Sequence, residues 1–140
     1  MIFSNLETLV FSCLAEAMYS TYSFCLYGVN TVNAFLISIS HFPLLSVGFN
    51  CALGTKDLKP YMKRLSDNTN FFTSSHPNAG LPNAFGEYDQ SPENMVDQMK
   101  EFLDENLVNI IGGCCGTTYD HIKLIAEEVK KYKPRVIPNE

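Results

Sequence analysis

Leu107-Val108-Asn109-Ile110-Ile111-Gly112-Gly113-Cys114-Cys115-Gly116-Thr117-Thr118 is the stretch that decides the reading of this chain. The run of Leu, Val and Ile predicts a short buried strand over 107–111. It runs straight into three glycines that let the backbone turn tightly around two adjacent cysteines. Thr117, with Asp120 three residues on, resembles a capping box with Asp in place of Glu, so a helix starts there. Ile122, Ile125, Ala126 and Val129 line its apolar side, and Lys130, Lys131 and Lys133 are expected in its last turn, where the helix dipole favours cations. Pro134 stops it.

Working upstream, the same arrangement recurs. Ser91-Pro92 is a good helix start, with Ser as cap and Pro at the first helical position. Met95, Met99, Phe102 and Leu103 give that helix its apolar stripe. Before it lies a loop rich in Pro, Gly and Asn over 77–89, and before that a strand at 70–74 ending near His76. A helix with Leu58, Met62 and Leu65 on one face precedes this strand. Ahead of it, an apolar run over 44–49 ends at Asn50-Cys51, and 31–40 reads as a further helix (Val32, Phe35, Leu36, Ile39). The order α-β-α-β-α-β-α, in units of about thirty residues, predicts an α/β fold with a parallel sheet. In such sheets the chemistry sits at the carboxyl ends of the strands. Asn50-Cys51, His76-Pro77-Asn78 and Cys114-Cys115 fall at those ends.

Cys51, Cys114 and Cys115 can therefore meet. Three thiolates form a soft site suited to zinc, with a fourth tetrahedral position left open, as in a catalytic centre. There is no Cys-x-x-Cys pair, however. Small buried hydrophobes are the bland alternative, and a vicinal disulfide is disfavoured in a reducing compartment. Cys13 and Cys25 are expected to be buried and inert. His41 is read as a loop or helix-end residue, His76 as a residue that can line the pocket, and His121 as solvated. Glu87 and Asp89 can orient their loop.

Composition bounds the function. The chain has 140 residues, 46% hydrophobic and 18% charged, enough to bury a core; ten Lys+Arg against fifteen Asp+Glu leave a net charge of −5. That argues against a nucleic-acid binder or an anionic-membrane binder, which would need a basic face. Lys56 is the first basic residue, and only Glu7 and Glu16 carry charge before it. The apolar stretch 8–27 lacks flanking Lys or Arg and holds Glu16 and several hydroxyls, so no membrane span is expected. Five cysteines and no recognisable secretory signal make reduced thiols or a metal site the expectation, with the cytoplasm as the expected compartment. A full eight-unit barrel needs about 250 residues.

Three motifs in order, Val47-Gly48-Phe49-Asn50-Cys51-Ala52-Leu53-Gly54, His76-Pro77-Asn78-Ala79-Gly80-Leu81-Pro82-Asn83 and Gly112-Gly113-Cys114-Cys115-Gly116-Thr117-Thr118, resemble the homocysteine-binding domain of the homocysteine S-methyltransferase family. The middle motif, continued through Ala84-Phe85-Gly86-Glu87-Tyr88-Asp89, resembles the cobalamin-dependent methionine synthases in particular. The resemblance runs from about Thr31 to the end. It implies a partial (β/α)8 TIM barrel, roughly the last three β/α units with a preceding helix. It also implies zinc held by Cys51, Cys114 and Cys115, with homocysteine as substrate. Asn78 is implied as a zinc contact when substrate is absent, with a loop-capping role as the equal alternative; Asn50 and His76 are possible pocket-lining residues. Methyl transfer would come from methylcobalamin on a separate domain, itself methylated from a folate-binding module, and give methionine.

The expected organisation is an atypical segment 1–30, the C-terminal half of a homocysteine-binding barrel over 31–133, and a linker-like tail 134–140. Residues 1–28 do not match the polar, glycine-bearing sequence the resemblance calls for. A truncated or foreign-fused chain, doubtful as an enzyme alone, is the expectation. The alternatives are a non-catalytic zinc-binding remnant, an interaction fragment, or a methyltransferase using another methyl donor.

Overall fold

A computed structural model describes residues 31–138; Cys13, Cys25, the apolar stretch 8–27 and the rest of 1–30 lie outside the described residues. Four helices and three strands alternate: α1 (Thr31–Ile39), β1 (Ser46–Gly54), α2 (Thr55–Asp67), β2 (Phe72–Asn78), α3 (Pro92–Asp104), β3 (Ile110–Ile111) and α4 (Tyr119–Val129). The sheet is parallel in the order β1-β2-β3, with Val47 opposite Thr73 and Ser74 opposite Ile110. Among the described residues no helix is long and apolar enough to cross a membrane.

Side chains alternate across a strand, so Val47 and Phe49 share one face of β1 while Gly48 and Asn50 share the other. Val47 and Phe49 join Leu58, Met62 and Leu65 of α2, Met95, Met99 and Phe102 of α3, and Ile125 and Val129 of α4 in one buried cluster. The helical stripes read from spacing are the ones that fill it. Gly48 is needed for a different reason: a Cβ there would overlap the Ser74 backbone and hydroxyl, so only glycine lets β1 and β2 close.

Three details differ from the sequence expectation. First, β2 runs from Phe72 through Pro77 to Asn78 instead of ending near His76. A proline in a central strand lacks a donor for the ladder. Here the register slips between Asn50 and Gly54 on β1, so the ladder is already interrupted beside Pro77, while the Pro77 carbonyl accepts from Cys114 N at 2.8 Å. Second, β3 is regular only at Ile110–Ile111, although Asn109 N→Thr73 O (2.8 Å) and Gly112 N→Ser75 O (3.0 Å) continue the pairing on both sides. Third, α4 starts one residue later than expected. Thr118 is its N-cap and His121 stands at the third position. The helix ends at Val129, so Lys130, Lys131 and Lys133 follow it instead of forming its last turn.

The amino end of β2 is tied down by a buried polar network. Thr73 N donates to Asn109 Oδ1 (3.0 Å), Thr73 Oγ1 donates to Leu107 O (2.7 Å), and Asn109 Nδ2 donates to Arg135 O (2.7 Å). Arg135, 6% exposed, gives hydrogen bonds to Ser66 Oγ, Ser66 O, Thr69 O and Phe71 O. Burial pulls its pKa down, with Asp67 opposing. A buried cation is tolerable only when its donors are met in this way. On the outer surface, Lys59 bridges Glu101 (2.6 Å) and Glu105 (2.8 Å), joining α2 to α3.

Candidate metal centre

The carboxyl end of the sheet is built around a defect in β1. Between Asn50 and Gly54 the strand carries extra residues against β2, and Cys51 takes φ 61°, a left-handed value that β-carbon sterics disfavour. The irregularity re-aims a side chain that regular pleating would have fixed. Cys51 Sγ thereby lies 3.4 Å from Cys115 Sγ.

The cysteine pair is stitched to the end of β2. Cys114 N donates to Pro77 O (2.8 Å), Ala79 N to Cys115 O (2.9 Å), and Cys115 N to Asn78 Oδ1 (3.2 Å). Gly116, at φ 76°, then turns the chain toward α4. Cys114 Sγ and Cys115 Sγ are 4.0 Å apart, and the sulfurs of all three cysteines lie within 4.8 Å of one another. All three are free thiols, half-buried.

These separations fit a metal. Tetrahedral zinc with Zn–S bonds of roughly 2.3 Å spaces its sulfurs by about 3.8 Å. The observed 3.4 and 4.0 Å bracket that value. The Cys114 thiol is pushed up to about 12, first by burial, then by hydrogen bonding to Cys51 and by the charge of Cys51 and Cys115. A divalent cation would reverse the effect on Cys114, because a coordinating thiol is deprotonated outright.

The other residues singled out from sequence fall as follows. Asn78 is 2% exposed, and its amide oxygen accepts from Cys115 N. Asn50 and His76 are register partners on β1 and β2, one step before the cluster; His76 is 9% exposed. His41 stacks on Phe42 with ring centres 4.0 Å apart, just beyond α1 and away from the site. His121 is not solvated but buried at 4%. Its Nδ1 accepts from Thr118 N (3.2 Å), leaving Nε2 to donate to Gln90 O (2.9 Å). A histidine at the third helical position has here taken the part that Glu plays in a capping box.

The loop after β2 was legible as a loop but not as part of the site. Asn83 folds it: its Oδ1 accepts from Phe85 N and Glu87 N, and its Nδ2 donates to Asp89 Oδ2 (2.7 Å). Tyr88 is thereby turned inward against Gly116, where a Cβ would overlap Tyr88 Cβ and lie 2.6 Å from Cγ. The Tyr88 hydroxyl is raised by burial first, then by a hydrogen bond to Cys115 and by the charge of all three cysteines. The signal that could have found it is Gly116, a glycine next to the cysteine pair that a ring must cover.

A family model described as Homocysteine S-methyltransferase matches residues 7–129, starting ahead of Thr31, where the motif-borne resemblance begins.

Proposed function

This chain belongs to the homocysteine S-methyltransferase family, and from that premise we propose that Cys51, Cys114 and Cys115 hold a zinc ion that activates homocysteine for methylation to methionine. The observation that carries the reading is the convergence of three sulfurs, from two strand ends far apart in sequence, to within 4.8 Å. The chemistry a bound zinc supplies is the lowered pKa of a coordinated thiol, so that the homocysteine sulfur is held as thiolate at neutral pH.

The protein's part is placement. The bulge in β1 presents Cys51, and the hydrogen bonds to Pro77 and Asn78 fix the Cys114-Cys115 pair against it. Asn50 and His76, on the face leading to the cluster, are proposed to line the amino-acid pocket. Asn78 is proposed to approach the metal when homocysteine is absent. Its oxygen already sits on the Cys115 amide beside the ligand pair, and the two roles compete for that atom. Homocysteine gives up its S–H proton on binding; its sulfur then takes the methyl group, and the donor keeps the electron pair of the broken bond.

The donor in this reading is methylcobalamin, carried on a separate domain and recharged from a folate-binding module. The 76–89 motif supports that branch of the family. The three β/α units are proposed to be the last three of a (β/α)8 barrel, with 1–30 and 134–140 as separate segments and the cytoplasm as the compartment. X-ray absorption at the zinc edge tests the core of the proposal. Reduced protein should show three sulfurs at about 2.3 Å and a fourth when homocysteine is added. Folded protein without a zinc–sulfur shell would overturn it. Methionine formation with methylcobalamin against other methyl donors then decides the branch.

A further inference from the structure

Two segments far apart in sequence carry the cysteines: the irregular end of β1 holds Cys51, and the turn before α4 holds Cys114 and Cys115. A run of close contacts joins these segments without passing through the sulfurs. It starts at Gly54, three residues past Cys51, where a Cβ would stand 3.4 Å from Gly80 Cα. Gly80, at φ 84°, lies so near the end of its own loop that a Cβ there would stand 3.2 Å from Gln90 Cβ. Gln90 O in turn accepts from His121 Nε2 at 2.9 Å. The last link is His121 Nδ1, 3.2 Å from Thr118 N and 2.8 Å from Thr118 Oγ1, three residues past Cys115. A backbone N–H only donates, so Nδ1 is the acceptor and Nε2 carries the proton given to Gln90. His121 is 4% exposed with both ring nitrogens engaged, yet capping α4 needs only Nδ1. The bond to Gln90 serves something else.

We infer that His121 is a positioning residue of the cysteine cluster: by donating to Gln90 O it closes this run of contacts and holds the turn carrying Cys114 and Cys115 at a fixed separation from the segment carrying Cys51. The inference rests on the reading of the cluster as a metal centre. The other side of the turn is fixed already, since Cys114 N and Cys115 N are bonded to Pro77 O and Asn78 Oδ1. With both sides held, the protein itself keeps the three sulfurs within 4.8 Å of one another. A site arranged in advance loses less freedom when it binds, and binds more tightly for that reason.

The test uses the whole chain, with zinc and cobalt(II) as the only added probes. His121→Asn leaves an amide oxygen near the place of Nδ1, so Thr118 N keeps an acceptor, but the shorter side chain does not reach Gln90 O. Competition against a chromophoric chelator should show the zinc affinity of the folded protein lowered about tenfold. The ligand-field bands of bound cobalt(II) should weaken and shift in the same variant, because a loosened site departs from tetrahedral geometry. Gly80→Ala presses on Gln90 without touching His121. It should move both readouts in the same direction, and it carries the test if His121→Asn does not fold. Thr118→Ala removes the hydroxyl at the cap, keeps the bond to Gln90, and should leave both readouts close to wild type. Wild-type affinity and spectrum in His121→Asn overturn the inference and leave the metal centre standing. An equal loss in Thr118→Ala overturns it too, reducing the histidine to a helix cap. A wild-type chain that binds neither ion overturns the metal centre and the inference with it.

Discussion

At the end of the sheet where β2 begins, Thr73, Asn109 and the Arg135 carbonyl are linked by hydrogen bonds, and the Arg135 guanidinium donates to Ser66, Thr69 and Phe71. At the end where β2 finishes, polar atoms are crowded or left over. The thiols of Cys51, Cys114 and Cys115 press together, Cys51 holds a left-handed backbone, and the buried hydroxyls of Thr55 and Thr117 have no hydrogen-bond partner among the described residues. The first end is arranged for the folded state alone. The second keeps crowded and unpaired groups, as functional sites commonly do. Substitutions at each end should separate folding stability from the proposed metal binding.

The largest effect is expected from Cys115→Ala. It removes one ligand of three and should lower zinc affinity by well over the roughly 100-fold that outer groups command, while the urea midpoint of the metal-free protein stays close to wild type. Equilibrium dialysis and denaturation on the same preparation check both halves. A large fall in metal-free stability would break the division.

Arg135→Ala is the converse. It strips the hydrogen bonds from Ser66, Thr69 and Phe71 and should cost about 3 kcal/mol in unfolding free energy, with zinc affinity of the folded fraction unchanged. Denaturant titration with a metal-binding readout would show whether the two ends are coupled after all.

A smaller effect concerns pH. The Cys114 thiol is raised from its ordinary 9.0 to about 12 in the folded protein. The folded state therefore holds this proton more tightly than the unfolded chain does. Its contribution to stability is fully present below about pH 9 and is lost as pH rises toward 12. Metal-free protein should lose stability as pH rises from about 9 toward 12, and Cys114→Ser should flatten that slope. Zinc-loaded protein should lack it, since the proton is already gone. The smallest effect is expected from Cys13→Ala and Cys25→Ala, which should leave zinc stoichiometry at wild-type level. A change would bring the N-terminal segment into the site.

Much of this arrangement could be read in the chain, for a reason visible in particular residues. Leu58, Met62 and Leu65, or Met95, Met99 and Phe102, repeat with helical spacing, and the core they form is the one such repeats predict. Cys51 and Cys114-Cys115 sit where apolar strands stop, which is enough to bring them to one rim. Periodicity does not reach the rest. The lengthening of β2 through Pro77 depends on an irregularity in its neighbour β1, and no local signal on β2 announces it. Tyr88 lies in a stretch without any repeat, so which of its side chains turns inward is decided by Asn83 and by the room above Gly116. Arg135 stands between prolines and reads as part of a tail; only the carbonyls at the end of α2 make it a buried anchor. His121 reads as solvated from its place in the first turn of a helix; its bonds to Thr118 and Gln90, which bury it, have no signature in the sequence.

The left-handed backbone at Cys51 has a consequence for anyone who engineers this chain. A non-glycine residue in that conformation gives up roughly 1 kcal/mol that glycine would not. A thermostability screen that ignores metal binding should therefore favour Cys51→Gly, choosing the more durable protein by deleting one of the three proposed metal ligands. Heat tolerance and usefulness diverge at this position, and a library that leaves it free to vary will drift toward hardier, inert molecules.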